Sequence, residues 1–162
     1  MKNPPFYIEE LVSPLRRILF LFILTISLGY GFGLRYLYLT TEANPTSLQE
    51  NYLGNEADVD AEVMKFEKTE KSLLTFLHDH LFALGILQLI ISFLLFCSKI
   101  PSKIKSFLVF EPFISLLVTF TGIYILWLGV EELKYIIMIS GFLFHLTFMV
   151  NLVVLGVKFA RK

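Results

Sequence analysis

Cysteine is almost missing from this 162-residue chain, with Cys97 the single example, so an internal disulfide, a thiolate metal cluster and a Cys-x-x-Cys-His haem attachment are all excluded. Charge is scarce as well, at 17% of residues. There is no Gly-rich phosphate loop, no His-Glu-x-x-His, no Ser/His/Asp set at membrane depth, no internal repeat and no low-complexity tract. These absences argue against hydrolytic chemistry and against independent catalytic activity of any kind. The few basic residues form no stripe for nucleic acid.

What the chain has in abundance is apolar length. Four predominantly apolar runs, 18–39, 73–97, 107–130 and 135–157, are each long enough to cross a bilayer. Hydrocarbon offers the backbone no hydrogen-bond partner, so spans must be helices or closed-barrel strands. Barrel strands are shorter and alternate apolar with polar, which these runs do not. The expected fold is all-α, an integral membrane four-helix bundle forming a single domain over 1–162, with the bilayer as its first partner. The run at 18–39 is too long for a cleaved signal, follows Glu9 and Glu10, and lacks a small-residue cleavage site, so it is read as a retained span.

A formal net charge of +0 hides a strong segregation. Lys2, Arg16 and Arg17 precede the first span; Lys99, Lys103 and Lys105 separate the second from the third; Lys158, Arg161 and Lys162 follow the fourth. Lys and Arg are retained on the cytoplasmic side, so both termini are expected there. The opposite side then holds the loop 40–72, in which eight acids face three lysines. The expected location is a bacterial inner membrane with this acidic loop periplasmic, open to a periplasmic protein or to other membrane subunits. Within the loop, Asn44-Pro45-Thr46 and Leu53-Gly54-Asn55 read as turns, and 58–71 reads as a short helix with Val59, Val63 and Phe66 on one face. That helix would lie on the membrane or on the mouth of the bundle; the alternative is a solvated connector.

Small residues recur at helical spacing: Thr25, Gly29 and Gly33 on the first span, Ser115, Thr119 and Gly122 with Glu111 on the third, Gly141, His145, Leu152 and Gly156 on the fourth. Such stripes primarily signal close packing between helices in lipid. Ionisable residues at membrane depth are a different matter, because each costs several kcal/mol unless paired, hydrated or bound. Arg35, Asp79 and Glu131 belong to an expected outer-leaflet polar cluster, in which Arg35 and Asp79 could clamp two helices together. Glu111 precedes Pro112. If the third helix opens at the proline, Glu111 is a wet acid beside Lys103 and Lys105, which is the expected arrangement; if it opens near Ser106, the carboxyl is buried. Thr147, Asn151 and Ser140 could then supply it with hydrogen bonds.

His78, His80 and His145 are the candidate haem or metal ligands. Residues two apart on a helix point about 200° apart, so His78 and His80 cannot grip one small ion together. Sharing a face with Gly85 and Ser92, His78 is the better candidate for the interior, with His80 left to the loop, a neighbour or a partner subunit; the reverse assignment stays open. His145 lies about 15 Å below the outer end of its helix, where imidazole hydrogen-bonds a hydroxyl or a carbonyl, or ligates iron. Bis-histidine haem b from His80 and His145 requires tilted helices, because His145 is the deeper of the two.

The run Leu77-His78-Asp79-His80-Leu81-Phe82-Ala83-Leu84-Gly85 resembles a group of small four-span bacterial inner-membrane proteins that carry a similar His-x-His entering the second helix. The resemblance implies the layout, including the long loop before that helix, and brings no biochemical role. In outline the chain also resembles b-type cytochrome membrane anchors, from which it departs in lacking a depth-matched histidine pair. Two functions follow as expectations: an accessory subunit of a membrane redox or respiratory complex holding haem b or a metal through the histidines, or a non-catalytic scaffold or assembly factor whose His/Asp/Arg cluster is structural. A small transporter is the weaker third, since broken helices and a set of midplane polar residues are not evident in the sequence.

Overall fold

The structure, a computed structural model, describes residues 4, 6–58 and 61–160; Lys2, Val59, Asp60, Arg161 and Lys162 lie outside the described residues. A 3-10 turn at Ile8–Glu10 leads into α1 (Ser13–Thr41), α2 (Pro45–Leu53), α3 (Glu70–Phe96), α4 (Ser102–Trp127) and α5 (Leu133–Ala160), with no strand among the described residues. α1, α3, α4 and α5 have 29, 27, 26 and 28 residues. At 1.5 Å per residue each reaches about 40 Å, beyond the roughly 30 Å of hydrocarbon, so all four cross with polar ends to spare. The protein is a four-helix membrane bundle.

The helices form an open row. α4 packs between α3 and α5, which touch each other lightly, while α1 leans on α5 and α2 and makes no packed interface with α3 or α4. Within its most apolar window 6% of the residues of α1 are buried, against 44% for α4, so α1 packs along one side only and leaves the rest of its surface to lipid. Its stripe of Thr25, Gly29 and Gly33 therefore does not serve packing inside the chain: a side chain at Gly29 or Gly33 would meet nothing within 4 Å. The stripes of α4 and α5 do. Gly122 lies so close to α5 that a Cβ would stand 2.8 Å from Cγ1 of Ile137, and Gly156 faces Ile23 of α1 at 3.7 Å.

Asn44-Pro45-Thr46 opens α2 instead of making a simple turn. The Asn44 side chain accepts from the Ser47 N–H at 2.8 Å and Pro45 supplies a first-turn residue with no N–H to satisfy. Of the expected helix over 58–71, the described residues 61–69 form none, and α3 starts only at Glu70. The chain there spends its backbone on tertiary bonds: Asn55 N–H to Lys65 O, Lys65 N–H to the Asn55 side chain, and Lys68 N–H to Tyr52 O. Val63 and Phe66, the expected apolar face, are exposed. Gly54 makes this return possible, with φ at +78° and so little room that a Cβ would stand only 2.7 Å from the Glu67 nitrogen. Tyr52 is buried beneath the returning segment, and Trp127 donates to Lys68 O at 2.8 Å, so the loop is tied to the ends of α3 and α4.

At the basic end the N-terminal turn folds across the bundle. Ile8 donates to Cys97 O, and the Glu9 carboxylate accepts from the Lys99 N–H and from Lys158 at the end of α5. Burial by itself raises the Glu9 pKa, but the hydrogen bonds from Lys158 and Lys99 outweigh it and hold the carboxyl below its ordinary value. Glu10 pairs with the Lys99 ammonium at 2.7 Å. Two of the expected inner-face cations are thus tied to acids on the same face.

Candidate functional site

Pro112 stands inside α4, and this one residue organises the interior. Having no N–H, it cannot bond the carbonyl of Leu108, four residues earlier. Asn151 of α5 donates to that carbonyl at 3.0 Å. From the other side, Gln88 of α3 donates to Ser92, which donates to the next carbonyl, Val109 O, at 3.2 Å. Gln88 and Asn151 are both 0% exposed. A proline in a spanning helix is tolerated when neighbours satisfy the groups it releases, and here α3 and α5 both reach in.

The seam continues upward along α4. Glu111 does not mark the start of its helix, which begins nine residues earlier at Ser102, so the expected wet acid is replaced by the partly buried alternative. Ser115 and Thr147 are within hydrogen-bonding reach of its two carboxyl oxygens, the first along α4 and the second across to α5. Higher still, Thr119 and Ser140 share a hydrogen bond at 2.8 Å. Of the three residues expected to serve Glu111, Thr147 does so, Asn151 serves the proline break, and Ser140 serves Thr119. Gln88 is the member of this seam that sequence reasoning misses. Its signal is its position, an amide four residues before Ser92 on an otherwise apolar run.

The histidines do not converge. His145 sits with Nδ1 at 3.1 Å from the Tyr30 hydroxyl, which donates to the His145 carbonyl at 2.8 Å, so the pair staples α1 to α5. His80 places Nδ1 at 2.9 Å from Phe76 O and lies against Phe76 and Phe120 on the α3–α4 flank. It is therefore His80, not His78, that leans on the bundle. His78 is exposed, stacked on Phe82, with Nδ1 at 3.1 Å from Asp79. A hydroxyl has one hydrogen and a carbonyl none, so Nδ1 carries the proton in His80, and in His145 when the tyrosine hydrogen goes to the carbonyl. Nε2 is then the nitrogen with the free lone pair. Among the described residues no three His, Cys, Asp or Glu side chains gather to hold a metal ion.

The expected polar cluster is dispersed as well. Arg35 lies over the Tyr38 ring at 5.8 Å, Asp79 pairs with His78, and Glu131 accepts from Gln49 of α2 at 2.8 Å. Because α1 and α3 are not neighbours, the Arg35–Asp79 clamp does not form within the chain.

No curated protein and no solved structure matches the chain. A family model described as a transmembrane helical domain matches residues 42–162, a stretch that begins one residue after α1 ends and takes in α2, α3, α4 and α5. The matched unit is thus the part of the molecule that carries the proline seam, with α1 added on its α5 flank. The chain belongs to this transmembrane helical family, Aq_1264_TM.

Proposed function

We propose that this protein is a non-catalytic membrane scaffold or assembly factor, its basic end cytoplasmic and its acidic segment presented on the other side of a bacterial inner membrane. What carries the reading is how the polar groups at membrane depth are used. Ser92 and Asn151 reach the carbonyls around Pro112 from α3 and α5, Thr147 reaches Glu111 from α5 to α4, and Gln88 and Ser115 hold Ser92 and Glu111 from their own helices, so this chemistry goes into fixing helix register. A transporter would direct such groups at a shared substrate.

A second reading keeps the histidines as ligands for haem b or a metal, in an accessory subunit of a redox complex. It draws on the anchoring of Nδ1 in His78, His80 and His145, which leaves Nε2 as the coordinating atom in the manner of ligating imidazoles. Against it, His80 and His145 occupy opposite flanks of the helix row.

Absorption spectra of the purified protein, oxidised and reduced, with metal analysis of the same sample, separate the two. The scaffold reading expects a colourless, metal-free and folded protein. A haem band that disappears in His145→Ala, or a stoichiometric metal lost in His80→Ala, would replace it with the redox reading.

A further inference from the structure

α1 and α3 are the free edges of the helix row, and each turns an ionic side chain toward lipid at nearly one level. Arg35 is exposed on α1 and Asp79 is exposed on α3. Counted from the loop-side ends, Thr41 and Glu70, they lie about 9 Å and 14 Å down their helices, within one helical turn of each other. Inside one chain α4 and α5 separate them. Such groups at membrane depth nearly always face protein, because lipid leaves their charge unsolvated. A cation–π contact with Tyr38 and an exposed histidine neighbour offset only part of that cost.

The backbones around the two charges are also open to close approach. Gly31, one turn below Arg35 on the same face of α1, has nothing within 4 Å of where a Cβ would be, and Ala83, one turn below Asp79 on α3, is small and exposed.

We propose that a second copy of this chain covers these edges, α1 of one copy lying along α3 of the next so that Arg35 of the first pairs with Asp79 of the second. The complementary charges choose the occupant: the side chain that α3 lacks is the one that α1 carries, at the matching depth. Since the two faces differ, the contact is head to tail, and each added copy offers a fresh edge until a ring closes. This assembly does not depend on whether the histidines hold a cofactor.

The test uses the full chain carrying two different affinity tags, coexpressed and extracted in mild detergent, with a parallel crosslinking step in the intact membrane. Wild-type copies are expected to co-purify. Asp79→Arg or Arg35→Asp in both copies should reduce recovery by about tenfold or more, with Asp79→Asn and Arg35→Gln acting in the same direction if a reversal fails to fold. A copy with D79R mixed with a copy with R35D should recover the mixed pair. Wild-type copies that neither co-purify nor crosslink overturn the proposal and leave the edges to lipid or to a different protein. So do charge variants that leave recovery unchanged, and so does a mixed pair of folded variants that fails to re-form.

Discussion

Replacing Asn151 with Leu tests whether the break at Pro112 is what the interior polar residues serve. In the wild-type chain the substitution strands Leu108 O, whose helical donor is already missing, at about 1 to 3 kcal/mol for a buried unpaired carbonyl. It also removes Oδ1 of Asn151, a buried acceptor with no hydrogen-bond partner, and this relief is of similar size. The single variant alone is thus ambiguous, because the two effects oppose. In a Pro112→Ala background the returning N–H satisfies Leu108 O, so only the relief and one optional hydrogen bond remain. The cost of Asn151→Leu should then be lower in P112A than in wild type by about 1 to 2 kcal/mol, the upper part of the range for polar contacts between spanning helices. Reversible unfolding in mixed micelles, followed by Trp127 fluorescence and far-ultraviolet circular dichroism, reads all four corners of the cycle. An Asn151→Leu effect identical in both backgrounds within about 0.3 kcal/mol would refute the reasoning.

Gly122→Ala forces Cγ1 of Ile137 to move from a contact of 2.8 Å and should destabilise the α4–α5 pair by about 1 to 3 kcal/mol in the same unfolding assay, and its cost should be smaller in an Ile137→Ala background, where that carbon is gone. Gly54→Ala combines a left-handed φ of +78° with a backbone clash and should free the 56–68 segment, seen as faster proteolysis there while the spans stay protected. Glu9 has its folded-state pKa below the ordinary 4.5, so its stabilisation is complete above that pH and is lost as pH falls through the lower folded value. Hydrogen exchange at Ile8–Glu10 should accordingly rise below about pH 4.5, and Glu9→Gln should remove that dependence.

The spans are legible in the sequence because lipid leaves few alternatives for runs such as 73–97 and 135–157. Which helices touch is not legible, because a stripe such as Thr25, Gly29 and Gly33 marks a face without naming what lies against it, and here nothing in the chain does. The same ambiguity makes the Arg35–Asp79 clamp look intramolecular. Around Glu111, the residue types point to hydrogen bonding with Thr147, whereas the start of α4 at Ser102 is hidden by a proline that reads equally well as an opening or as a break. In the loop, local helix propensity loses at residues 61–69 to long-range bonds such as Lys68 N–H to Tyr52 O, which no local pattern announces. Asn44, Pro45 and Gly54 all read as turn formers, but their joint role, bounding α2, appears only once the helix between them is seen.

The order of the helix row is the claim on which the rest stands, and paired cysteines in a Cys97→Ser background test it directly in the native membrane. Ile23→Cys with Gly156→Cys should close an intramolecular disulfide between α1 and α5, where Ile23 stands 3.7 Å from the Cβ position of Gly156. Gly29→Cys with Gly85→Cys should close none within one chain, any product running at twice the monomer mass or more. An α1–α3 disulfide at monomer mass would contradict the open row, and with it the freedom of the edge that carries Arg35.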